Sequence, residues 1–195
     1  LKISPVIKRS DFYLIPNIMS VSRVFAIPLF GIFMLYQMNF WAALVFALAG
    51  LSDYVDGWVA RRYGYESKLG MLLDPLADKI IIVSAMILLM HLGRLDFSYQ
   101  DWNLSWVAPA LVIITAGREI GITGLRSIAS TVGVVMPADR WGKLKTWIQF
   151  FAILFLLLNW PPLFRAGQIL LFISVITALG SGVSYTVKFL KSLPD

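Results

Sequence analysis

Four aspartates, Asp53, Asp56, Asp74 and Asp78, stand in two pairs inside long apolar sequence, LAGLSDYVDGWVARR and GMLLDPLADKIII. A carboxylate at the centre of a membrane helix costs roughly 3 kcal/mol. Four would cost on the order of 10 kcal/mol, as much as the net stability of an ordinary domain. Bound divalent metal offsets such a cost, because hard cations take oxygen ligands. Two pairs at one depth can hold two Mg²⁺ or Mn²⁺ ions. Two ions about 4 Å apart clamp the oxygens of a displacement at phosphorus. The four aspartates are therefore the candidate metal ligands.

The elements around them must bring the pairs together. Asp53 and Asp56 are three residues apart, which puts them on one helix face with Gly57 and Ala60, closed by Arg61. Gly70, Asp74 and Asp78 form a stripe of period four on the next segment. The connection is short, so the two helices are expected to be antiparallel neighbours. Asp56 precedes Arg61 by five residues, which is about 7 Å of helix, and Asp74 follows Gly70 by four, about 6 Å. Both pairs thus reach one level just inside the headgroups. Gly57 and Gly70 leave room for a bulky ligand near backbone. Pro75 withdraws a backbone donor beside Asp74. Ion pairing with Arg61, Arg62 or Lys79 would explain a single buried acid, but it accounts poorly for four at this spacing. A cation transporter is the alternative of another class. It predicts acids spread across the membrane depth, whereas these lie at one level.

The composition fits a membrane setting. Of 195 residues, 58% are hydrophobic and only 14% charged, and mean hydropathy is +0.76. A soluble domain needs far more polar surface. The expected fold is all-α: a polytopic membrane protein with six transmembrane helices, near 18–36, 40–62, 71–92, 105–128, 143–160 and 166–190. Barrel strands would alternate, and these segments do not. Residues 1–195 read as one domain. Residues 1–15 are too polar to span and read as a short juxtamembrane, interfacial segment. Leu1 opens the chain, so a native start upstream is expected. With no cysteine, disulfides and thiolate sites are excluded.

Lys and Arg placement sets the topology. Lys2, Lys8, Arg9, Arg61, Arg62, Lys68, Arg126, Arg140, Lys143, Lys145, Lys188 and Lys191 fall on one side; Arg94 and Arg165 fall on the other. Both termini and the active site are expected to face the cytosol, in a bacterial inner membrane. The net charge of +6 then reads as a positive-inside signature that suits anionic membrane lipids, with no nucleic-acid partner.

From Asp53 to Asp78 the chain reads D-x2-D-G-x2-A-R-x8-G-x3-D-x3-D without departure. It resembles the signature of the CDP-alcohol phosphotransferases, and the likeness extends over essentially the whole chain. Pro16, Asn17 and Arg23 in the first span fit as well. The resemblance implies transfer of a phosphatidyl or similar group from a CDP-linked donor to an alcohol, with release of CMP. It implies metal on Asp53, Asp56 and Asp74. It gives Asp78 the role of catalytic base toward the acceptor hydroxyl, within reach of the second metal. It places Asn17, Arg23, Gly57, Ala60, Arg61, Ser67 and Gly70 at the CDP-diacylglycerol site, and it implies a homodimer.

The second half bears on the acceptor. Arg118 and Glu119 lie about two turns inside the cytosolic boundary, with Arg126, Lys143 and Lys145 near it. Arg118, Arg126, Lys143 and Lys145 are candidates for an acceptor phosphate, which an uncharged alcohol would not need. A snorkelling flank is the plainer reading of the two lysines. Neighbouring residues on a helix point about 100° apart, so a direct Arg118–Glu119 pair is expected to be poor. The RE…LR…GKxKT run resembles the phosphatidylglycerophosphate synthase branch, which implies sn-glycerol 3-phosphate as acceptor. The cardiolipin synthase branch, with phosphatidylglycerol as acceptor, is the runner-up. His91 reads as interfacial. Gly117-x-x-x-Gly121 reads equally as a packing face or as room around Arg118. No P-loop, Ser-His-Asp set or zinc spacing is present.

Overall fold

Among the described residues, long apolar runs separated by turn residues and charges fold as six helices: α1 (Ile15–Leu35), α2 (Asn39–Tyr63), α3 (Lys68–His91), α4 (Val107–Thr131), α5 (Arg140–Leu158) and α6 (Pro161–Ser192). This computed structural model describes residues 15–63, 68–98, 103–131 and 140–192, with side chains for 21–52, 76–98, 103–129, 142 and 144–191. Among the described residues there is no strand. Each expected span falls on one helix, with ends moved by a few residues. The largest shift is at α6, which begins at Pro161. Proline suits the first helical position, where its missing N–H is not needed. The Trp160 carbonyl accepts the first amides, from Leu163 and Phe164, each at 2.9 Å. Of the expected interfacial segment 1–15, only Ile15 is described, and it opens α1.

The chain forms two compact units, Leu1–Leu88 and Leu89–Asp195. In the first, α1 packs on α2. Phe30 and Phe46 meet edge to face at 6.4 Å, and Met34, Ala42 and Ala43 are buried with them. The turn between the helices is a Schellman motif: Gln37 N–H donates to the Met34 carbonyl at 3.0 Å and Met38 N–H to the Phe33 carbonyl at 2.8 Å. Gln37 takes the left-handed φ of 56° that this motif demands.

In the second unit α6 packs on both α5 and α4. Ala152, Ile153, Leu156, Leu157 and Leu171 are fully buried there. Gly167 lets α5 and α6 approach closely. A Cβ at this position would stand 3.0 Å from Leu156 Cγ and 3.1 Å from the Ala152 carbonyl oxygen. Backbone cannot move aside as a side chain can, so Gly167→Ala is expected to cost about 1–3 kcal/mol through overpacking. Gly180 is the control, because a Cβ there meets nothing within 4 Å among the described residues. Gly180→Ala is expected to gain up to about 1 kcal/mol from helix propensity. Thermal unfolding in one detergent, with both variants beside the parent, checks the contrast.

The ends of α3 and α5 are tied together. Gly93 (φ 68°) closes α3 in a second Schellman motif, with Gly93 N–H on the Met90 carbonyl and Arg94 N–H on the Leu89 carbonyl. Arg94 is thereby fixed just past the helix, 8% exposed. Its Nη1 donates to the carbonyls of Leu156 at 3.1 Å and Leu157 at 2.8 Å. These belong to the last turn of α5, whose carbonyls have no intrahelical partner. Beyond Arg94, Asp96 Oδ1 accepts the Ser98 amide at 2.8 Å. That bond first, and the Ser98 hydroxyl second, hold its carboxyl below the usual carboxylate range. Gln168 of α6 donates to the Asp96 carbonyl at 3.0 Å.

Among the described residues, two helices are long and apolar enough to cross a membrane: α4 over Val107–Ala129 and α6 over Pro161–Lys191. Only 28% and 33% of their apolar windows are buried inside the protein. The core helix of a soluble protein hides most of such a window. Here Ile113, Ile120, Ile128, Ile176 and Val183 are exposed instead.

Candidate functional site

The backbone of α2 carries Asp53, Asp56, Gly57, Ala60 and Arg61, and that of α3 carries Gly70, Asp74 and Asp78. Both helices run without interruption through these positions, α3 through Pro75 included. Helical register therefore puts Asp53 with Asp56, and Asp74 with Asp78, on one face of each helix. The side chains of Asp53, Asp56, Asp74, Gly57, Ala60, Arg61 and Gly70 lie outside the described residues, as do Ser67 and the side chain of Asn17. The expected antiparallel pairing of α2 and α3 turns on the same stretch. Asp78 is half-buried and engaged with a neighbour. Arg23 on α1 is 2% exposed, a depth at which a guanidinium persists only with partners. The donor set fits hard divalent cations, since all four candidate ligands are carboxylates.

In the second unit, α4 and α5 meet at one carboxylate, and α6 joins them through Arg118. Glu119 of α4 is 9% exposed. Its Oε1 accepts from Arg118 Nη1 at 3.0 Å and also from Lys145 Nζ of α5. Helix α6 holds the same guanidinium from its own side. Arg118 Nε donates to the Ala178 carbonyl at 3.3 Å, and Nη2 donates to Ser181 Oγ at 2.7 Å. Ser181 Oγ in turn donates to the Ala178 carbonyl at 3.0 Å. One turn before Glu119, Thr115 is 3% exposed and its Oγ1 has no hydrogen-bond partner among the described residues.

One sequence expectation is corrected here, and of the two readings of Lys145 the snorkelling one is overturned. Arg118 and Glu119 do pair directly, because a long flexible side chain closes an offset that Cβ directions alone forbid. Lys145 does not snorkel to a headgroup; it is 3% exposed and turned inward to Glu119. Arg126 is exposed, and the side chain of Lys143 lies outside the described residues. Ser181 went unnoticed in the sequence, although a serine between Gly180 and Gly182 in an apolar run is a visible signal. Among the described residues Gly117 and Gly121 form no packing face, since a Cβ at either meets nothing within 4 Å. Gly121 instead opens a cavity of about 470 Å³ between α4 and α6, walled by Arg118, Ile122, Leu125, Leu179, Val183 and Val187.

The family profile of the CDP-alcohol phosphatidyltransferases matches residues 13–180. The chain belongs to this family. The matched stretch holds both aspartate pairs and the whole Arg118–Glu119–Lys145 cluster. Three similar relatives carry the name CDP-diacylglycerol–glycerol-3-phosphate 3-phosphatidyltransferase. The Bacillus subtilis protein is 32% identical over 92% of this chain and 96% of its own length. The Pseudomonas fluorescens protein is 35% identical over 91% of this chain and 89% of its own. The Rickettsia typhi protein is 32% identical over 88% of this chain and 94% of its own. CDP-alcohol phosphatidyltransferases are membrane enzymes that generally depend on divalent metal. Membership makes this chain a membrane transferase and removes the cation-transporter alternative.

Proposed function

We propose that this protein transfers the phosphatidyl group of CDP-diacylglycerol to sn-glycerol 3-phosphate, giving phosphatidylglycerol phosphate and CMP. The observation that carries the proposal is the unbroken aspartate signature on α2 and α3, in a chain that covers nearly the full length of relatives named for this reaction.

In the proposed mechanism Asp78 takes the proton of the acceptor hydroxyl, whose oxygen attacks the phosphorus bearing the lipid. The bond from that phosphorus to the diphosphate bridge breaks, and CMP leaves. Asp53, Asp56, Asp74 and Asp78 would hold two Mg²⁺ or Mn²⁺ ions, which when bound neutralise the diphosphate and stabilise the departing phosphate. Asn17, Arg23, Gly57, Ala60, Arg61, Ser67 and Gly70 bind the CDP-diacylglycerol. Arg118, Arg126, Lys143 and Lys145 bind the acceptor phosphate. The two deep ones already sit together around Glu119. Of the five guanidinium N–H groups of Arg118, three serve protein acceptors, which leaves two for a phosphate.

All six helices span the membrane in this reading, with both termini and the active site at the cytosolic face of a bacterial inner membrane, and the enzyme is a homodimer. The test is purified protein with CDP-diacylglycerol and Mg²⁺, supplied separately with glycerol 3-phosphate, phosphatidylglycerol or inositol. Lipid product and CMP are expected with glycerol 3-phosphate, lost with a chelator and restored by Mg²⁺. Product from phosphatidylglycerol alone would reassign the enzyme to cardiolipin synthesis. No product from glycerol 3-phosphate overturns the proposal.

A further inference from the structure

We infer that Glu119 is a positioning residue for the acceptor phosphate: its carboxylate holds the Arg118 guanidinium and the Lys145 ammonium together so that one phosphate can engage both. The inference rests on glycerol 3-phosphate as the acceptor and names the group that orients its two deep cations.

Three observations support it. First, both cations bond the same oxygen, Glu119 Oε1. Two nitrogens within hydrogen-bond distance of one atom are within about 6 Å of each other. Two phosphate oxygens bridge such a gap. Second, Glu119 binds more than one cation. Here a second cation comes from another helix and is itself 3% exposed. Lys145 cannot extend to water from there, so its charge is retained inside by the Glu119 carboxylate. Third, Arg118 is braced from α6 by Ser181 Oγ and the Ala178 carbonyl. That bracing orients the guanidinium but supplies no negative charge. Glu119 alone, among the contacts described for Arg118, offsets the repulsion between the two cations.

Gln at position 119 keeps the size and one acceptor but drops the charge. Glu119→Gln is expected to raise the KM for glycerol 3-phosphate ten-fold or more. The kcat and the KM for CDP-diacylglycerol should stay within about three-fold. Glu119→Asp, which restores the charge on a shorter arm, recovers part of the loss. If Glu119 acts through Lys145, the double variant Glu119→Gln/Lys145→Met has an acceptor KM no higher than Lys145→Met alone. The double variant removes the cation with the anion, so it carries the comparison even if Glu119→Gln alone does not fold. An unchanged acceptor KM in Glu119→Gln, equal losses for both substrates, or fully additive effects in the double variant would each overturn the positioning role and leave the reaction assignment standing. A parent enzyme that does not use glycerol 3-phosphate overturns the reaction assignment itself, and this inference with it.

Discussion

Asp78→Asn is expected to lower kcat by roughly 10²–10⁴-fold, the range that a well-placed general base contributes. Asparagine has nearly the same shape and keeps an oxygen ligand, so metal and CDP-diacylglycerol binding should fall much less than turnover. In the proposed mechanism, helical register favours this aspartate over its partner as the proton acceptor. Asp78 lies one turn beyond Asp74 on the same face of α3, so it can address the acceptor hydroxyl while Asp74 serves as ligand. Steady-state kinetics with both substrates, plus binding of a CDP nucleotide in the presence of Mg²⁺, separate the two roles. Full activity in Asp78→Asn with metal bound would remove the base assignment. Collapse of nucleotide binding together with turnover would make Asp78 mainly a ligand.

The largest loss of stability is expected at Arg94. Its two bonds to the Leu156 and Leu157 carbonyls come from a charged donor, and bonds of that kind contribute roughly 1.5–3 kcal/mol each. A cation beside the last carbonyls of α5 also meets the negative end of the helix dipole, which adds about 0.3–1 kcal/mol. Arg94→Met keeps most of the apolar stem but strands both carbonyls in a buried place. We expect it to cost about 3 kcal/mol, near the low end of the sum because the loosened helix end will recruit water. Arg94→Lys should recover about half, since an ammonium lacks the planar fork. Denaturation in detergent measures the loss. Hydrogen exchange should localise it to the C-terminal turn of α5. Equal protection of that turn in parent and Arg94→Met would show that the cap carries no weight.

Much of this architecture was legible in the sequence because the signals were local. Apolar runs divided by charges and turns gave six helices in order, and two aspartate pairs at helical spacing carried the family signature. What the sequence withheld was pairing. In lipid-like sequence every helix face is apolar, so periodicity does not say that α6 packs on both α4 and α5. For the same reason Ser181 of α6 could not be joined in advance to Arg118, 63 residues away. The Arg118–Glu119 contact was misjudged for a different cause. The 100° rule describes where side chains start, and arginine is long enough to finish elsewhere. Arg94 had been weighed only as a charge on the outer side. Its grip on α5 depends on a turn geometry that Gly93 permits and that composition does not reveal.

That grip also has a consequence for how the chain is made. Arg94 binds carbonyls 62 and 63 residues further along. At about 5–20 residues per second of synthesis, the arginine emerges roughly 3–12 s before its acceptors exist. In that interval water must satisfy its guanidinium, so the turn that follows α3 cannot settle into place until the end of α5 has been made. The cap thus makes final assembly of the second half wait for a late arrival from the ribosome.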